Sequence, residues 1–198
     1  MSTESLVIDN IGSLITNDPA LGRGPLGIVE HASVVIDNDV VVEVGPAGAL
    51  ADRRIDAEGA CVLPGFVDSH SHLVFAGDRA EEFTARMAGK PYDGGGIQVT
   101  TDATRATPTP ALDALVRSRL AEAHRAGTTT IEIKSGYGLT VDDEARSVDI
   151  ARAHTPEATF LGAHLLPREF AGRADDYIDL VCNDMLGRVA GTAKWVDA

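Results

Sequence analysis

His70 and His72 stand two residues apart, just beyond the apolar run Cys61-Val62-Leu63-Pro64-Gly65-Phe66-Val67. On an extended strand, residues i and i+2 project from the same face. Two imidazoles held close together can share one metal ion, supplying two of the three or four protein ligands that zinc takes. The pair alone is a weak signal, because hydrogen-bonded or surface histidines are common. At the C-terminal end of a parallel strand it gains weight, since α/β sites lie there. Asp68 precedes the pair and could orient a ligand or cap a turn.

Other polar residues follow the same geometry. Lys134-Ser135-Gly136-Tyr137-Gly138 closes a second strand-like run, and His164 closes a third. Taken singly, Tyr137 and His164 read equally well as hydrogen-bonded packing residues, and Lys134 as the partner of a carboxylate. His124 and His154 fall near predicted helix ends, where the dipole favours them without a further role; His31 reads as a loop residue. Gly94-Gly95-Gly96 fits neither a Walker nor a dinucleotide pattern, and is read as a loop bordering the site.

The elements that must position these residues are legible in outline. Ser33 to Ile36 and Val40 to Val44 flank Asp37-Asn38-Asp39, a hairpin signal. Gly22, Gly24, Pro25 and Gly27 mark an earlier loop. The first sixty residues thus predict a small β-rich module without chemistry of its own. The run Cys61–Val67 suits a strand buried on both faces, and a long loop is expected after it. Pro110 opens a helix whose Leu112, Leu115, Val116, Leu120 and Ala123 fall at helical spacing before Gly127. Thr128 to Ile133 is strand-like. Thr140 with Asp143 resembles a capping box for a second helix through Val141, Ala145, Val148 and Ile150. Thr159 to Ala163 reads as a third strand, and Tyr177, Ile178, Val181 and Met185 as a third helix. Strands alternating with helices predict βαβ units and a parallel sheet. About three and a half units are countable, enough for a small open sheet or half of an eight-stranded barrel, which takes roughly 250 residues.

Composition sets outer limits. Of 198 residues, 44% are apolar and 24% charged, which predicts a folded core. The net charge of -13 repels phosphate and argues against nucleic-acid or anionic-membrane partners. The start, MSTESLVIDN, lacks the basic end and apolar stretch of a signal peptide. Cys61 and Cys182 are far apart and outside any CxxC pattern, so two reduced core thiols in a cytoplasmic protein are expected.

PGFVDSHSH, from Pro64 to His72, resembles the metal-binding opening motif of the amidohydrolase superfamily. Its extension HLVFAGDRAEEF, followed by YDGGGI, ATRAT, EIKSGYGL and TFLGAHLLP, is similar to the imidazolonepropionase family. The motifs run in order from Pro64 to Pro167. The resemblance implies a (β/α)8 TIM barrel with a small β-sandwich built from both chain ends. Here residues 64–198 would supply the first three to four βα units, and residues 1–63 part of the sandwich. It further implies one zinc or iron ion, and hydrolysis of the ring C–N bond of 4-imidazolone-5-propanoate to N-formimidoyl-L-glutamate in histidine degradation. A homodimer is compatible with it. Carried over by motif, His70 and His72 would be metal ligands and Arg79 would clasp the propanoate, for which a guanidinium is suited. Without the resemblance, Arg79 reads as a surface ion pair with Glu81 or Glu82. Tyr137 and His164 would contact the substrate, with His164 also catalytic by steadying the ring carbonyl.

The family pattern also calls for a third metal histidine, an acidic partner for water and a metal aspartate from later strands. No such set follows Trp195-Val196-Asp197, which reads as a strand beginning where the sequence finishes. The chain alone is therefore expected to be inactive and prone to associate, since half a barrel leaves open edges. Two other functions remain in view. A deaminase of a cyclic amidine or purine would share the HxH pair and the barrel, but would release ammonia. A non-catalytic subunit would need a separate C-terminal half.

Overall fold

A computed structural model describes residues 4–89 and 95–198 of the chain, which divides into two compact units, Met1–Pro64 and Gly65–Ala198. In the first, β1 (Leu6–Ile15), β2 (Ile28–Asp37), β3 (Val40–Pro46) and β4 (Arg53–Asp56) form a sheet ordered β3-β2-β1-β4, with β5 (Cys61–Val62) also paired to β1. The expected hairpin is β2–β3. Its turn residues Asn38 and Asp39 both take positive φ, 50° and 61°, as a two-residue turn matched to strand twist requires. Ile11, Leu14, Ala32 and Val34 form the small core. His31 lies within β2 at φ 52°, not in a loop, beside an irregular stretch of the β1–β2 register.

The second unit carries a parallel sheet whose strands lie side by side in chain order: β6 (Phe66–Ser71), β7 (Thr128–Lys134), β8 (Ala158–Phe160) and β9 (Trp195–Val196). Between β6 and β7 come α1 (Ala80–Met87), α2 (Gly95–Ala106) and α3 (Thr109–Arg125); α4 (Val141–His154) joins β7 to β8. The last crossover is α5 (Ala174–Leu180), a π-helical turn at Val181–Met185, and α6 (Leu186–Val189). The apolar stripe of α3 packs Leu112 and Val116 onto Ile131 and Ile133 of β7, with Ile150 and Ala151 of α4 and Ala158 of β8 in the same cluster. A second cluster joins Phe160 to Leu139, Val148, Tyr177, Val181 and Met185. Phe160 is 1% exposed, and Phe160→Ala is expected to destabilise this unit by about 3–5 kcal/mol through lost burial and a residual cavity. A urea transition unchanged by that substitution would contradict the packing.

Several expectations need correction. The run Cys61–Val67 is not one buried strand. Pro64 has no N–H for a ladder, so the run breaks there: Cys61–Val62 joins the first sheet and Phe66 begins the second, with Phe66 and Val67 55% and 68% exposed. The long loop contains α1 and α2. Gly95 and Gly96 start α2, whereas Gly94 lies outside the described residues. These helices were hidden because α1 exposes its Phe83 and Met87 and α2 opens on two glycines, poor helix formers. Tertiary packing holds α2: Thr100, Thr101 and Thr104 are buried, their hydroxyls donating to the carbonyls of Gly96, Ile97 and Thr100 one turn back. β8 is shorter than expected, ending at Phe160. The two cysteines are free but exposed rather than in a core.

Candidate active site

β6 carries His70 as its penultimate residue and delivers His72 immediately after its last, Ser71, placing the two ring centroids 5.5 Å apart. Asp68 caps this strand end, accepting from the His70 amide at 3.1 Å and the Ser71 hydroxyl at 2.5 Å. These bonds hold its carboxyl below the usual carboxylate range. The following segment is anchored from α3: Arg119 donates to the carbonyls of Leu73 and Phe75 at 2.7 and 2.8 Å, with its guanidinium 3.5 Å from the Phe75 ring centre.

The strap Ser135–Leu139 follows β7 and brings Tyr137 to the histidines. Its backbone carbonyls fix two imidazoles: His72 Nδ1 lies 2.8 Å from the Ser135 oxygen, and His164 Nδ1 lies 2.8 Å from the Gly136 oxygen. A carbonyl only accepts, so each Nδ1 carries a proton, and in a singly protonated ring Nε2 keeps its lone pair. The His72 and His164 rings stack at 4.6 Å and 9°. Tyr137 meets both edge-on or tilted, with centroids 5.4 Å and 5.1 Å away. His164 does not end β8 directly; it sits on the turn beyond it. Gly136 has φ 119°, and a Cβ there would come 2.9 Å from the His164 side chain, so the close approach of strap and ring requires glycine.

Arg79, the residue before α1, is half-buried and turned toward this group. Its Nε donates to Thr100 at 3.1 Å, and a terminal nitrogen lies 3.4 Å from the Tyr137 hydroxyl. Lys134 takes the structural part: its Nζ donates to Glu132 at 2.8 Å and Asp197 at 3.0 Å. His154 pairs with Asp113 at 2.6 Å, joining α4 to α3 away from the site. The structure therefore brings His70, His72, Tyr137, His164 and Arg79 together.

Burial, with His164 stacked beside it, pushes the His72 imidazole down to about 4. At neutral pH the ring is uncharged, with Nε2 unprotonated, as a metal-ligating histidine must be. His70 and His72 thus fit as two nitrogen donors of one ion; among the described residues they belong to no cluster of three or more His, Cys, Asp or Glu side chains placed to hold a metal.

Three supporting residues escaped the sequence reading: Arg119, Thr100 and Glu144, which lies wholly buried on the first turn of α4 beneath the strap. Arg119 and Thr100 sit on helix faces with no pattern to distinguish them. Glu144 follows Asp142 and Asp143, so it reads as one more acidic residue favoured by the helix N-terminus.

No protein-family model matches the chain. Among known proteins, a relative from Salinispora tropica named imidazolonepropionase is 63% identical over 195 residues, covering 98% of this chain and 50% of the relative. Proteins of the same name from Mycolicibacterium smegmatis and Streptomyces coelicolor are 55% and 54% identical, each covering 98% of this chain and 49% or 51% of their own length. The chain spans about half the length of the curated relatives it matches. Among solved structures, the triazine hydrolase from Arthobacter aurescens superposes with a TM-score of 0.50 at 20% identity, over 80% of this chain and 35% of that one. A variant of triazine hydrolase gives 0.51 at 22%, with the same coverage. That likeness is one of fold: this α/β chain shares its architecture with part of triazine hydrolase.

Proposed function

We propose, from the premise that the chain belongs by sequence to the imidazolonepropionase family, that it supplies half of the active site of a metal-dependent, cytoplasmic ring hydrolase of histidine degradation. Its substrate would be 4-imidazolone-5-propanoate, and its product N-formimidoyl-L-glutamate. The observation carrying this reading is the convergence of His70, His72, Tyr137, His164 and Arg79 at or just beyond the C-terminal ends of consecutive parallel strands, where α/β sites lie. In this reading residues 64–198 are the first three to four βα units of a (β/α)8 barrel, and residues 1–63 part of a β-sandwich.

The parts divide the work as follows. His70 and His72 would hold one zinc or iron ion, both of which accept imidazole. Such an ion supplies Lewis acidity, polarising the ring carbonyl and lowering the pKa of water. Arg79 offers its remaining N–H groups to the propanoate carboxylate, and thereby sets the ring's place relative to the histidines. Tyr137, already bonded to Arg79, lines the ring's position. His164 stands within stacking distance of His72, its Nδ1–H held by the Gly136 carbonyl; when Nε2 also carries a proton, that N–H donates to the ring carbonyl as negative charge develops on its oxygen, an electrostatic stabilisation that grows in the transition state. Water adds at that carbonyl carbon, and collapse breaks the ring C–N bond.

Two imidazole donors are fewer than the three or four protein ligands of a zinc site, and the relatives are twice as long. The reading therefore assigns turnover to a protein in which the remaining ligands are supplied from the other half of the family's length. The isolated 198-residue chain is expected to turn over no substrate and to self-associate in sedimentation, through exposed β6 and β9 residues such as Val67, Trp195 and Val196. Co-expression with the C-terminal half of the Salinispora tropica relative is expected to restore both metal and turnover. A monomeric chain that unfolds cooperatively and binds stoichiometric metal tightly by itself would contradict this assignment.

A further inference from the structure

Several polar backbone groups of the strap after β7 have defined partners. The Ser135 and Gly136 carbonyls face the site, where they fix His72 and His164, and the Gly138 carbonyl accepts from Arg105 Nε at 2.6 Å. Three of the strap amides converge on one carboxylate, while that of Ser135 donates to the Thr159 carbonyl at 2.9 Å. Glu144 Oε2 accepts from the Gly136 amide at 3.0 Å, while Oε1 accepts from those of Gly138 at 2.8 Å and Leu139 at 2.7 Å. The Ser135 hydroxyl accepts from the Leu161 amide at 3.0 Å, tying the strap to the segment just after β8.

We propose that Glu144 is the positioning residue of this site, a buried carboxylate that gathers three strap amides and so aims the Ser135 and Gly136 carbonyls at the Nδ1–H groups of His72 and His164. A peptide plane is rigid, so fixing the Gly136 amide fixes the Ser135 carbonyl in the same plane. The strap cannot hold this shape by local preference. Leu139 takes φ 57°, a left-handed conformation unfavourable for a residue with a Cβ, and such strain persists only where surrounding contacts over-determine it. Glu144 is 0% exposed and supplies those contacts. A carboxylate with only donors around it suits the place; an amide would turn an N–H group toward backbone N–H groups and break part of the set. The consequence is chemical: the tautomer of each imidazole, hence which ring nitrogen faces outward with a lone pair, depends on a side chain that touches neither ring.

The structural half of this proposal stands independently of the substrate; its effect on turnover rests on the ring-hydrolase reading above. The first test uses histidine ring 15N shifts of the 198-residue chain and its Glu144→Gln variant. In the unaltered chain both His72 and His164 are expected as Nδ1–H tautomers. In Glu144→Gln the ratio is expected to move about tenfold toward Nε2–H, equivalent to about 1.4 kcal/mol, with the circular dichroism spectrum retained. A folded variant with unchanged ring shifts would overturn the proposal. If that variant does not fold, amide exchange in the unaltered chain decides: Gly136, Gly138 and Leu139 should be protected, and exchange at the rate of a free loop would overturn it. In the assembled, active protein, Glu144→Gln should lower kcat about a hundredfold, as a slight misplacement of reacting groups does, with KM little changed. Shifted tautomers with unaltered kcat would also overturn the proposal. Absence of turnover by the assembled unsubstituted protein would instead sink the ring-hydrolase reading and leave the tautomer result to stand or fall separately.

Discussion

In the assembled protein, His72→Ala is expected to lose its metal and at least about a thousandfold in kcat. Lewis-acid stabilisation is worth several kcal/mol in the transition state, and each 1.36 kcal/mol is a factor of ten in rate. His72 is the better-prepared donor of the pair. Its Nδ1–H is committed to the Ser135 carbonyl, and its environment keeps the ring neutral, so neither tautomer nor protonation need change for Nε2 to bind. Removing it also deletes the stacking partner of His164. His124 is an exposed residue near the end of α3, and His124→Ala serves as the control that should keep metal and rate. Elemental analysis alongside initial rates distinguishes the cases. Full metal content and turnover in His72→Ala would show that the imidazole pair does not hold the metal.

The second large effect is on binding. Arg79→Ala is expected to raise KM about thirtyfold or more, because truncating one member of a hydrogen-bonded charge pair costs about 2–5 kcal/mol. Nε of Arg79 is spent on Thr100 and one terminal nitrogen reaches toward Tyr137. The guanidinium is thus held in one orientation while keeping N–H groups for a carboxylate, and little ordering remains to be paid when substrate arrives. An analogue without the propanoate should bind both forms alike. Arg79→Lys should recover only part of the loss, since a point charge lacks the planar fork. An equal rise in KM for the carboxylate-free analogue would mean that Arg79 supports the Tyr137 strap and does not grip the substrate.

The sequence made the outline of the second unit legible wherever periodicity and caps agree. Pro110 and the Leu112–Val116 stripe mark α3, and Thr140 caps α4, its hydroxyl accepting from the Asp143 amide at 3.1 Å. It misled where local signals were absent or divided. A run of seven apolar letters concealed a strand break at Pro64. Thr-rich α2 carried no helical stripe, because its buried hydroxyls are satisfied by its own preceding turn. The site residues were readable as motifs, and their meeting in space follows from parallel strands set side by side. Glu144 was not readable, since its role depends on the strap folding back over it, a tertiary fact with no local pattern. Arg119 was hidden for the same reason: its carbonyl partners lie more than forty residues earlier in the chain.

These side chains are proposed to form half of a site that opens an imidazolone ring with water. Product analysis after incubating 4-imidazolone-5-propanoate with the chain assembled with a relative's C-terminal half tests it most directly. The expected result is N-formimidoyl-L-glutamate, no ammonia, and loss of turnover on metal removal that zinc or iron restores. Ammonia release from a cyclic amidine or purine, with the imidazolone left intact, would contradict it and place the chain with the deaminases.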